Sequence, residues 1–288
     1  MLDIFIERFR QKNRTVPYPK QTPTLLPRFR GRPFIDAALC VNLADGHCEC
    51  CVNVCPSGAL ALEEGVPALD MGACSFCGAC ARACPKEALV FTTDWRLAST
   101  ERKALIIRPM EYVRAETPVA VQSLPEKNDR WFFLPELPVT PSDKAGFIRS
   151  FRLRQVTAAG CGACEADLNV LSTVVFDLGR FGMDFVASPR HADGLVLTGP
   201  APRNMREGLL KCHNAMAEPK LLLAVGACAI SGGLFRTNGG YSSEQQAEGA
   251  SPILSPDLFI PGCPPHPYTS LDGMLRLVGL SAPPHTRS

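Results

Sequence analysis

Short apolar runs alternate with longer helical stretches from residue 150 to the end of the chain. Four of these runs have the length and composition of buried strands. They cover residues 151–158, 194–199, 220–226 and 257–262. The stretches near residues 203–217 and 268–279 are predicted helices. This alternation of strand and helix predicts a parallel α/β sheet over the second half of the chain.

Cysteines follow three of the four predicted strands. Cys161 and Cys164 follow the first strand, Cys228 the third and Cys263 the fourth. Ligands collect at the carboxyl ends of parallel strands, so these four thiols are expected to converge. Adjacent glycines would let the backbone come close and donate N–H groups to sulfur. The pattern predicts a [4Fe–4S] site, with buried structural cysteines as the alternative, and Cys212 within a predicted helix is expected in the core.

The first half of the chain contains a short internal repeat. The segments "CECCVNVCPSGALAL" (48–62) and "CSFCGACARACPKEALVF" (74–91) share three cysteines, a Cys-Pro pair and an Ala-Leu pair, each offset by 29 residues. A duplicated unit of this kind predicts two similar sites.

The second copy has the cysteine spacing of a two-cluster ferredoxin. Its cysteines are Cys74, Cys77, Cys80 and Cys84, and Pro85 follows. In that spacing three thiolates bind one cube and the fourth binds the other cube. A zinc ribbon is the alternative, but zinc sites of that type use two separated cysteine pairs.

The first copy is irregular, because Asp45 stands where the second copy has Cys74. Cys40, five residues upstream, is the preferred fourth ligand because thiolate is softer than carboxylate. Ligation by Asp45 and a three-iron cluster are the alternatives, and Cys50 falls outside the repeat as a non-ligand. The crossing pattern assigns Cys40, Cys48, Cys51 and Cys84 to one cluster and Cys74, Cys77, Cys80 and Cys55 to the other.

The middle of the chain has no steady period. Residues 101–146 contain six prolines, which is typical of an extended connector. We therefore predict a ferredoxin-like domain over 1–100, a Pro-rich linker over 101–149 and a third cluster domain over 150–288. The aromatic segment "WFFLPELP" (131–138) is expected to pack on its own chain or on a partner.

Composition narrows the class of protein. The chain has 288 residues, 46% hydrophobic, and a net charge of +2, which does not indicate a nucleic-acid partner. Its fourteen cysteines, with no visible secretory signal, favour metal or redox chemistry over disulfides. The longest apolar runs are too short to cross a membrane. Residues 1–36 carry eight Lys and Arg against three Asp and Glu, which suits an acidic partner, lipid headgroups or a solvated tail.

Residues 25–100 resemble the two-cluster ferredoxin-type subunits of complex I and of formate hydrogenlyase-like hydrogenases. The cysteine pattern carries this resemblance, and the segment "LLPRFRGRP" (25–33) is similar to the family's lead-in. In the family this segment helps to seat the subunit on its neighbours.

Residues 150–280 resemble the small subunit of membrane-bound, energy-converting [NiFe]-hydrogenases. That family also includes the complex I subunit that carries the cluster nearest the quinone. The resemblance rests on "GCGACEADL", "FVASPRHADGLVLTGPAPRNM", "AVGACAISGGLF" and "PGCPPHP". It implies that Cys161, Cys164, Cys228 and Cys263 bind a proximal [4Fe–4S] cluster. The two residues between Cys161 and Cys164 favour the hydrogenase branch, because complex I subunits have adjacent cysteines there.

Several polar residues near these motifs have two interpretations. Ala227 and Asp167 depart from residues common among the hydrogenase relatives, which leaves nickel in the partner open. Arg190, His191 and Asp193 would tune the cluster or contact the large subunit, or would form a polar turn. Glu165 and Asp167 would carry protons or would only begin a helix.

Together these features predict an α+β ferredoxin-like domain with two [4Fe–4S] clusters, followed by an α/β, flavodoxin-like parallel-sheet domain with a third. The chain has no visible catalytic residues, so it is expected to transfer electrons as an oxidoreductase subunit that is not catalytic alone. The resemblance implies a large [NiFe]-hydrogenase subunit, membrane ion-translocating subunits and an electron-donor subunit as partners. It also implies a peripheral position on the cytoplasmic face of the inner membrane. A complex I-like assembly without nickel and a zinc scaffold are the alternatives.

Overall fold

The computed structural model describes residues 2–12, 14–110, 134, 136–142, 150–236, 249–250 and 253–280. Four helices and five short strands form the first half. They are α1 (Leu2–Gln11), α2 (Val41–Asp45), α3 (Cys50–Asn53) and α4 (Ala79–Ala83), with β1 (Pro33–Ile35), β2 (Leu60–Glu63), β3 (Val66–Asp70), β4 (Leu89–Phe91) and β5 (Ile106–Ile107). Strands β1 and β4 pair antiparallel, and β2, β3 and β5 form a second antiparallel sheet.

The sequence repeat is visible in these elements. Helices α3 and α4 begin at Cys50 and Ala79, and strands β2 and β4 begin at Leu60 and Leu89. Each pair of starting points is 29 residues apart, like the repeated cysteines. The first half is therefore of the α+β class and is built on a duplicated helix-and-strand unit.

The second half is a parallel sheet with helices. Its elements are β6 (Phe151–Thr157), β7 (Met183–Phe185), β8 (Gly194–Thr198), β9 (Leu221–Val225) and β10 (Leu258–Ile260), with α5 (Ala163–Val170), α6 (Arg203–Asn214), α7 (Ala227–Ser231) and α8 (Pro267–Leu277). The strands run parallel in the order β10-β9-β8-β6-β7. Every residue of β8 and β9 is buried, as expected for strands covered on both faces.

The four strands and two helices predicted for this half are confirmed, with ends within three residues of the prediction. The α/β class is likewise confirmed. Strand β7 was not predicted, because three residues at a sheet edge carry no periodic signal.

The two halves share one hydrophobic core. A single cluster of buried side chains contains Leu60 and Leu69 from the first half and Leu195, Leu197 and Ala224 from the second. Hydrogen bonds cross the same boundary. Ser231 Oγ donates to Gly72 O at 2.9 Å, Thr269 Oγ1 donates to Trp95 O at 2.7 Å, and Ser99 pairs with Phe259 through both backbone groups. The first half is thus packed directly on the sheet domain.

Part of the predicted linker is structured. A 3-10 helix at Arg102–Leu105 leads into β5, which pairs with β3 of the first half. Further along, Leu137 is buried and Pro138 O accepts from Ser99 Oγ at 2.9 Å. Trp131, Phe132 and Phe133 of the predicted aromatic patch lie outside the described residues.

A buried charged pair on α8 ties distant segments together. Asp272 and Arg276 are 1% and 5% exposed, and Arg276 Nε donates to Asp272 Oδ2 at 2.8 Å. Tyr18 OH donates to Asp272 Oδ1 at 2.6 Å. Arg276 also donates to Leu137 O at 3.0 Å and to Ala98 O at 3.3 Å. The N-terminal segment, the connector and the end of the first half therefore all meet α8.

Replacing Asp272 by alanine should lower the free energy of unfolding by about 3 kcal/mol, because buried Arg276 would lose its 2.8 Å ion pair and keep only the longer one to Glu136, at 3.4 Å. Urea unfolding of oxygen-free samples measures the loss. Glu63→Ala is the matched control. It breaks an ion pair with Arg108 whose side chains are about half exposed, and it should cost less than about 1 kcal/mol. Equal losses in the two variants would contradict the importance of the α8 pair.

Candidate metal centres

The four cysteines predicted at the strand ends come together beyond the carboxyl edge of the parallel sheet. Cys161 follows β6, Cys164 lies in α5, Cys228 lies in α7 directly after β9, and Cys263 follows β10. Burial raises the pKa of the Cys164 thiol, and the nearby acidic groups of Cys228, Glu165, Cys263 and Cys161 raise that pKa further. These four cysteines are called the third thiol group below.

Glycine allows this close approach. Gly226 joins β9 to α7 with φ 89° and ψ 155°, a backbone conformation that side-chain-bearing residues rarely adopt. A Cβ atom at this position would lie 2.5 Å from Cys164 Sγ. The loops after β9 and β10 also bond to each other, since Ala227 N donates to Gly262 O at 2.9 Å. The positions of Cys164, Cys228 and Cys263 are therefore coupled through backbone contacts.

The first thiol group, Cys40, Cys48, Cys51 and Cys84, lines a cavity beside α2 and α3. Burial raises the pKa of Cys51 to about 11, and the thiols of Cys40, Cys48 and Cys84 add to the rise. Asn42 organises the loop, because its amide donates to Gly65 O and its Oδ1 accepts from Cys48 N at 3.1 Å. The side chain of Asp45, the alternative ligand, lies outside the described residues.

The second thiol group is Cys55, Cys74, Cys77 and Cys80. Burial raises the pKa of Cys74 to about 12, and the thiols of Cys80, Cys55 and Cys77 raise it as well. Burial also raises the pKa of Cys80 to about 11, with Cys55 and Cys77 among its neighbours. Cys55 of the first copy thus faces the second copy, and Cys84 of the second copy faces the first, in the predicted crossed arrangement.

Backbone N–H groups point at three of these sulfurs. Ala59 N lies 3.3 Å from Cys55 Sγ, and Ala88 N lies 3.2 Å from Cys84 Sγ. The two alanines are equivalent positions of the repeat. Phe76 N donates to Cys74 Sγ at 3.2 Å. Such bonds favour the charged thiolate, which is the form that binds iron. Two of these N–H donors belong to the alanines of the repeated Ala-Leu pair, which is visible in the sequence. No sequence pattern indicated the third donor, Phe76 N.

The three thiol groups follow one another in space. Burial raises the pKa of Cys80 in the second group most, and the thiols of Cys55 and Cys77 follow. Cys51 of the first group is also close enough to raise the pKa of Cys80. Burial and the thiol of Cys161 raise the pKa of Cys263 in the third group most. Cys77 of the second group is close enough to raise the pKa of Cys263 further. The second group therefore lies between the other two.

The polar residues predicted near the third cluster have contacts or positions of their own. Arg190 and His191 are exposed and precede β8, at the sheet edge opposite the third thiol group. Asp193 Oδ2 accepts from Arg152 N at 2.8 Å, which suits the polar-turn interpretation. Glu165 accepts from Thr198 Oγ1, and burial raises the pKa of Asp167. The bond from Thr198 suits a structural role for Glu165 at the start of α5.

The two cysteines that were not predicted to be ligands, Cys212 and Cys50, lie in different surroundings. Cys212 packs against the hydrophobic core, as predicted. Cys50 is exposed but lines the same cavity as the first thiol group, and its pKa is raised by a hydrogen bond to Cys48.

The donor set fits iron–sulfur clusters. All fourteen cysteines are free thiols, and each proposed group offers four of them. Within the described part of the chain, no three His, Cys, Asp or Glu side chains are placed to share a single metal ion. A zinc ion needs ligands within about 2.3 Å of one centre. The thiolates of a [4Fe–4S] cube bind different irons, so four thiols in one group need not converge on a single ion to hold a cube.

Two protein families match separate parts of this chain. The family described as "NADH ubiquinone oxidoreductase, 20 Kd subunit" matches residues 161–277, which contain the third thiol group. The family described as "4Fe-4S binding domain" matches residues 67–90, which contain Cys74, Cys77, Cys80 and Cys84.

The B subunit of the NADH-quinone oxidoreductase of Beutenbergia cavernae is 39% identical over 137 residues, which cover 47% of this chain and 71% of that relative. The chain belongs to the NADH ubiquinone oxidoreductase 20 kDa subunit family. Membership of this family and the 4Fe-4S match confirm the prediction of an iron–sulfur subunit of the oxidoreductase type.

Other relatives of the chain are matched over less of their own length. Formate hydrogenlyase subunit 7 of Escherichia coli (strain K12) is 37% identical over 132 residues, or 46% of this chain and 50% of that relative. The chain thus spans half of that protein. A solved chain of a membrane-bound sulfane sulfur reductase, an archaeal respiratory membrane complex, is 27% identical with a TM-score of 0.39, over 46% of this chain and 70% of that one.

Replacing Gly226 by alanine should displace Cys164 and remove about four irons per chain, together with the paramagnetic signal of one reduced cluster. Iron analysis and low-temperature electron paramagnetic resonance measure the two effects. Gly65→Ala is the control, because Gly65 also has a positive φ, of 80°, but no atom lies within 4 Å of an added Cβ. Retention of all iron by Gly226→Ala would contradict the proposed approach of Cys164 to the metal.

Proposed function

We propose that the three thiol groups bind three [4Fe–4S] clusters and that the chain is an electron-transfer subunit. The observation that carries the proposal is the serial arrangement of twelve thiols, with Cys51 near Cys80 and Cys77 near Cys263. A bound cube would accept and release one electron at a time. The protein supplies the thiolates, the burial that excludes water and the N–H donors that stabilise negative charge on sulfur.

The three thiol groups differ in solvent exposure and in neighbouring charge, which would give their clusters different reduction potentials. The first group lines a cavity beside the exposed Cys50, whereas Cys74 and Cys80 of the second group are buried. The third group lies beyond a parallel sheet edge with Glu165 beside it. Solvent exposure, nearby charge and hydrogen bonds to sulfur are the properties that tune cluster potentials.

The proposed complex is a membrane-bound, formate hydrogenlyase-like [NiFe]-hydrogenase. The Cys161-x2-Cys164 spacing supports this branch, as does the similarity to formate hydrogenlyase subunit 7. A large catalytic subunit would dock next to the third thiol group, and an electron donor or acceptor next to the first. The second candidate is a complex I-like assembly without nickel, which the 39% identity to the NADH-quinone oxidoreductase relative favours.

The proposed organisation is a ferredoxin-like domain over 1–100, a connector over 101–149 and the sheet domain over 150–288. The shared core supports a fixed distance between the second and third groups, so the two domains would act as one relay. Within the described residues, no helix combines the length and apolar composition required to cross a bilayer. The proposed location is the cytoplasmic face of the inner membrane, through partner subunits.

The oxygen-free protein should contain about twelve irons per chain. Cys228→Ser and Cys40→Ser should each remove about four of them, because each takes one ligand from a different cube. The controls are Cys212→Ser, a core cysteine, and Asp45→Asn, the alternative to Cys40, and both should keep all iron. Iron loss in Asp45→Asn with none in Cys40→Ser would reverse the ligand assignment of the first group.

Purification of the tagged chain from its source membranes should recover a large subunit with two Cys-x2-Cys pairs and bound nickel. Metal analysis and mass spectrometry of the co-purifying subunits measure this. A partner with neither pairs nor nickel would move the chain to the complex I-like candidate without affecting the cluster assignment.

A further inference from the structure

Helix α1, near the start of the chain, exposes an apolar face. Phe5, Ile6 and Phe9 are 63%, 48% and 83% exposed. Successive helical residues are about 100° apart, so these three side chains share an arc of about 100° on one side of the helix. No other described helix of this chain shows three large apolar side chains exposed in one such arc.

Basic side chains border this apolar arc. Helical geometry places Arg8 on one flank and Arg10 on the other, and Lys12 follows directly after the helix. Acidic Glu7 lies further round the helix, where its carboxylate accepts from Gln11 Nε2 at 3.1 Å. The apolar arc is therefore edged by Arg8 and Arg10, while Glu7 lies on the far side and Asp3 lies beyond Arg10 in the first turn.

A second pair of exposed apolar side chains lies beside the segment that follows α1. After α1 the chain runs beside the segment that follows α5, where Thr15 Oγ1 donates to Val174 O and Val16 N donates to Val175 O, each at 2.8 Å. Val174 and Val175 are themselves 67% and 40% exposed. Arg180 Nη2 donates to Val16 O at 3.0 Å, which fixes the segment in place. The chain a few residues after α1 is thus anchored next to these exposed valines.

We propose that α1 lies in the headgroup region of a bilayer that contains anionic lipid, with Phe5, Ile6 and Phe9 directed into it. An apolar arc flanked by Arg and Lys is the pattern of helices that bind in the plane of a membrane surface. The charge distribution decides between occupants, because the core of a protein interface is depleted of charges, whereas anionic headgroups attract Arg8, Arg10 and Lys12. This direct lipid contact goes beyond the proposed attachment through partner subunits and does not depend on cluster ligation.

Flotation of the full-length, oxygen-free holoprotein with lipid vesicles tests this proposal. The protein should float with phosphatidylcholine–phosphatidylglycerol vesicles and bind pure phosphatidylcholine about tenfold or more weakly. Phe5→Ser with Phe9→Ser should weaken binding about tenfold or more, since apolar surface then stays in water. Arg8→Gln with Arg10→Gln should weaken binding to the anionic vesicles alone, about fivefold per charge, and added salt should act in the same direction.

Ile4→Ser is the matched control. Ile4 is 71% exposed, but helical geometry places it opposite the apolar arc, so this variant should bind within about twofold of the unmodified protein. Unchanged iron content and circular dichroism in every variant exclude misfolding as the cause of a loss.

Three results would overturn the proposal: no flotation with anionic vesicles, equal binding to neutral and anionic vesicles, or unchanged binding after removal of both phenylalanines. Loss of partner subunits from the Phe5→Ser, Phe9→Ser variant, without any vesicle binding by the unmodified protein, would identify α1 as a protein-docking helix. None of these results would alter the iron content on which the proposed electron-transfer function rests.

Discussion

The burial of thiols in close groups is the constraint on which the rest of this structure depends. A cysteine must lose its proton to bind iron, yet burial opposes ionisation and raises the pKa of Cys74 and of Cys228 to about 12. The positive charge of bound iron reverses this effect, and backbone donors such as Ala59 N and Ala88 N assist. The buried thiols are therefore expected to be stable as thiolates only when they bind metal.

The same constraint explains the local backbone. Three cysteine-bearing loops must reach one point beyond the sheet edge, and glycine at 226 leaves out a Cβ that would lie only 2.5 Å from Cys164 Sγ. In the first half, the duplicated helix-and-strand unit places one cysteine of each copy in the group of the other copy. This crossing ties the copies together, so neither thiol group is complete without both.

The packing of the first half on the sheet domain brings the second and third thiol groups next to each other. The shared core, the Ser99–Phe259 pairing and the bond from Ser231 to Gly72 hold the first half against the sheet. Cys77 and Cys263, which are far apart in the chain, come within electrostatic reach through that contact. The buried Asp272–Arg276 pair holds the N-terminal segment and the connector on α8.

Local patterns predicted the members of the thiol groups, and they were sufficient for the parallel sheet. The Cys-x2-Cys-x2-Cys-x3-Cys-Pro spacing, its displaced first copy and the cysteines after three apolar strands all depend on short-range periodicity, which the sequence carries directly. The edge strand β7, the pairing of Ile106–Ile107 with β3, the placement of Arg190 and His191 away from the thiols and the order of the three groups were decided only by the tertiary structure. These features depend on contacts between segments distant in the chain, and such contacts leave no periodic trace in any one segment.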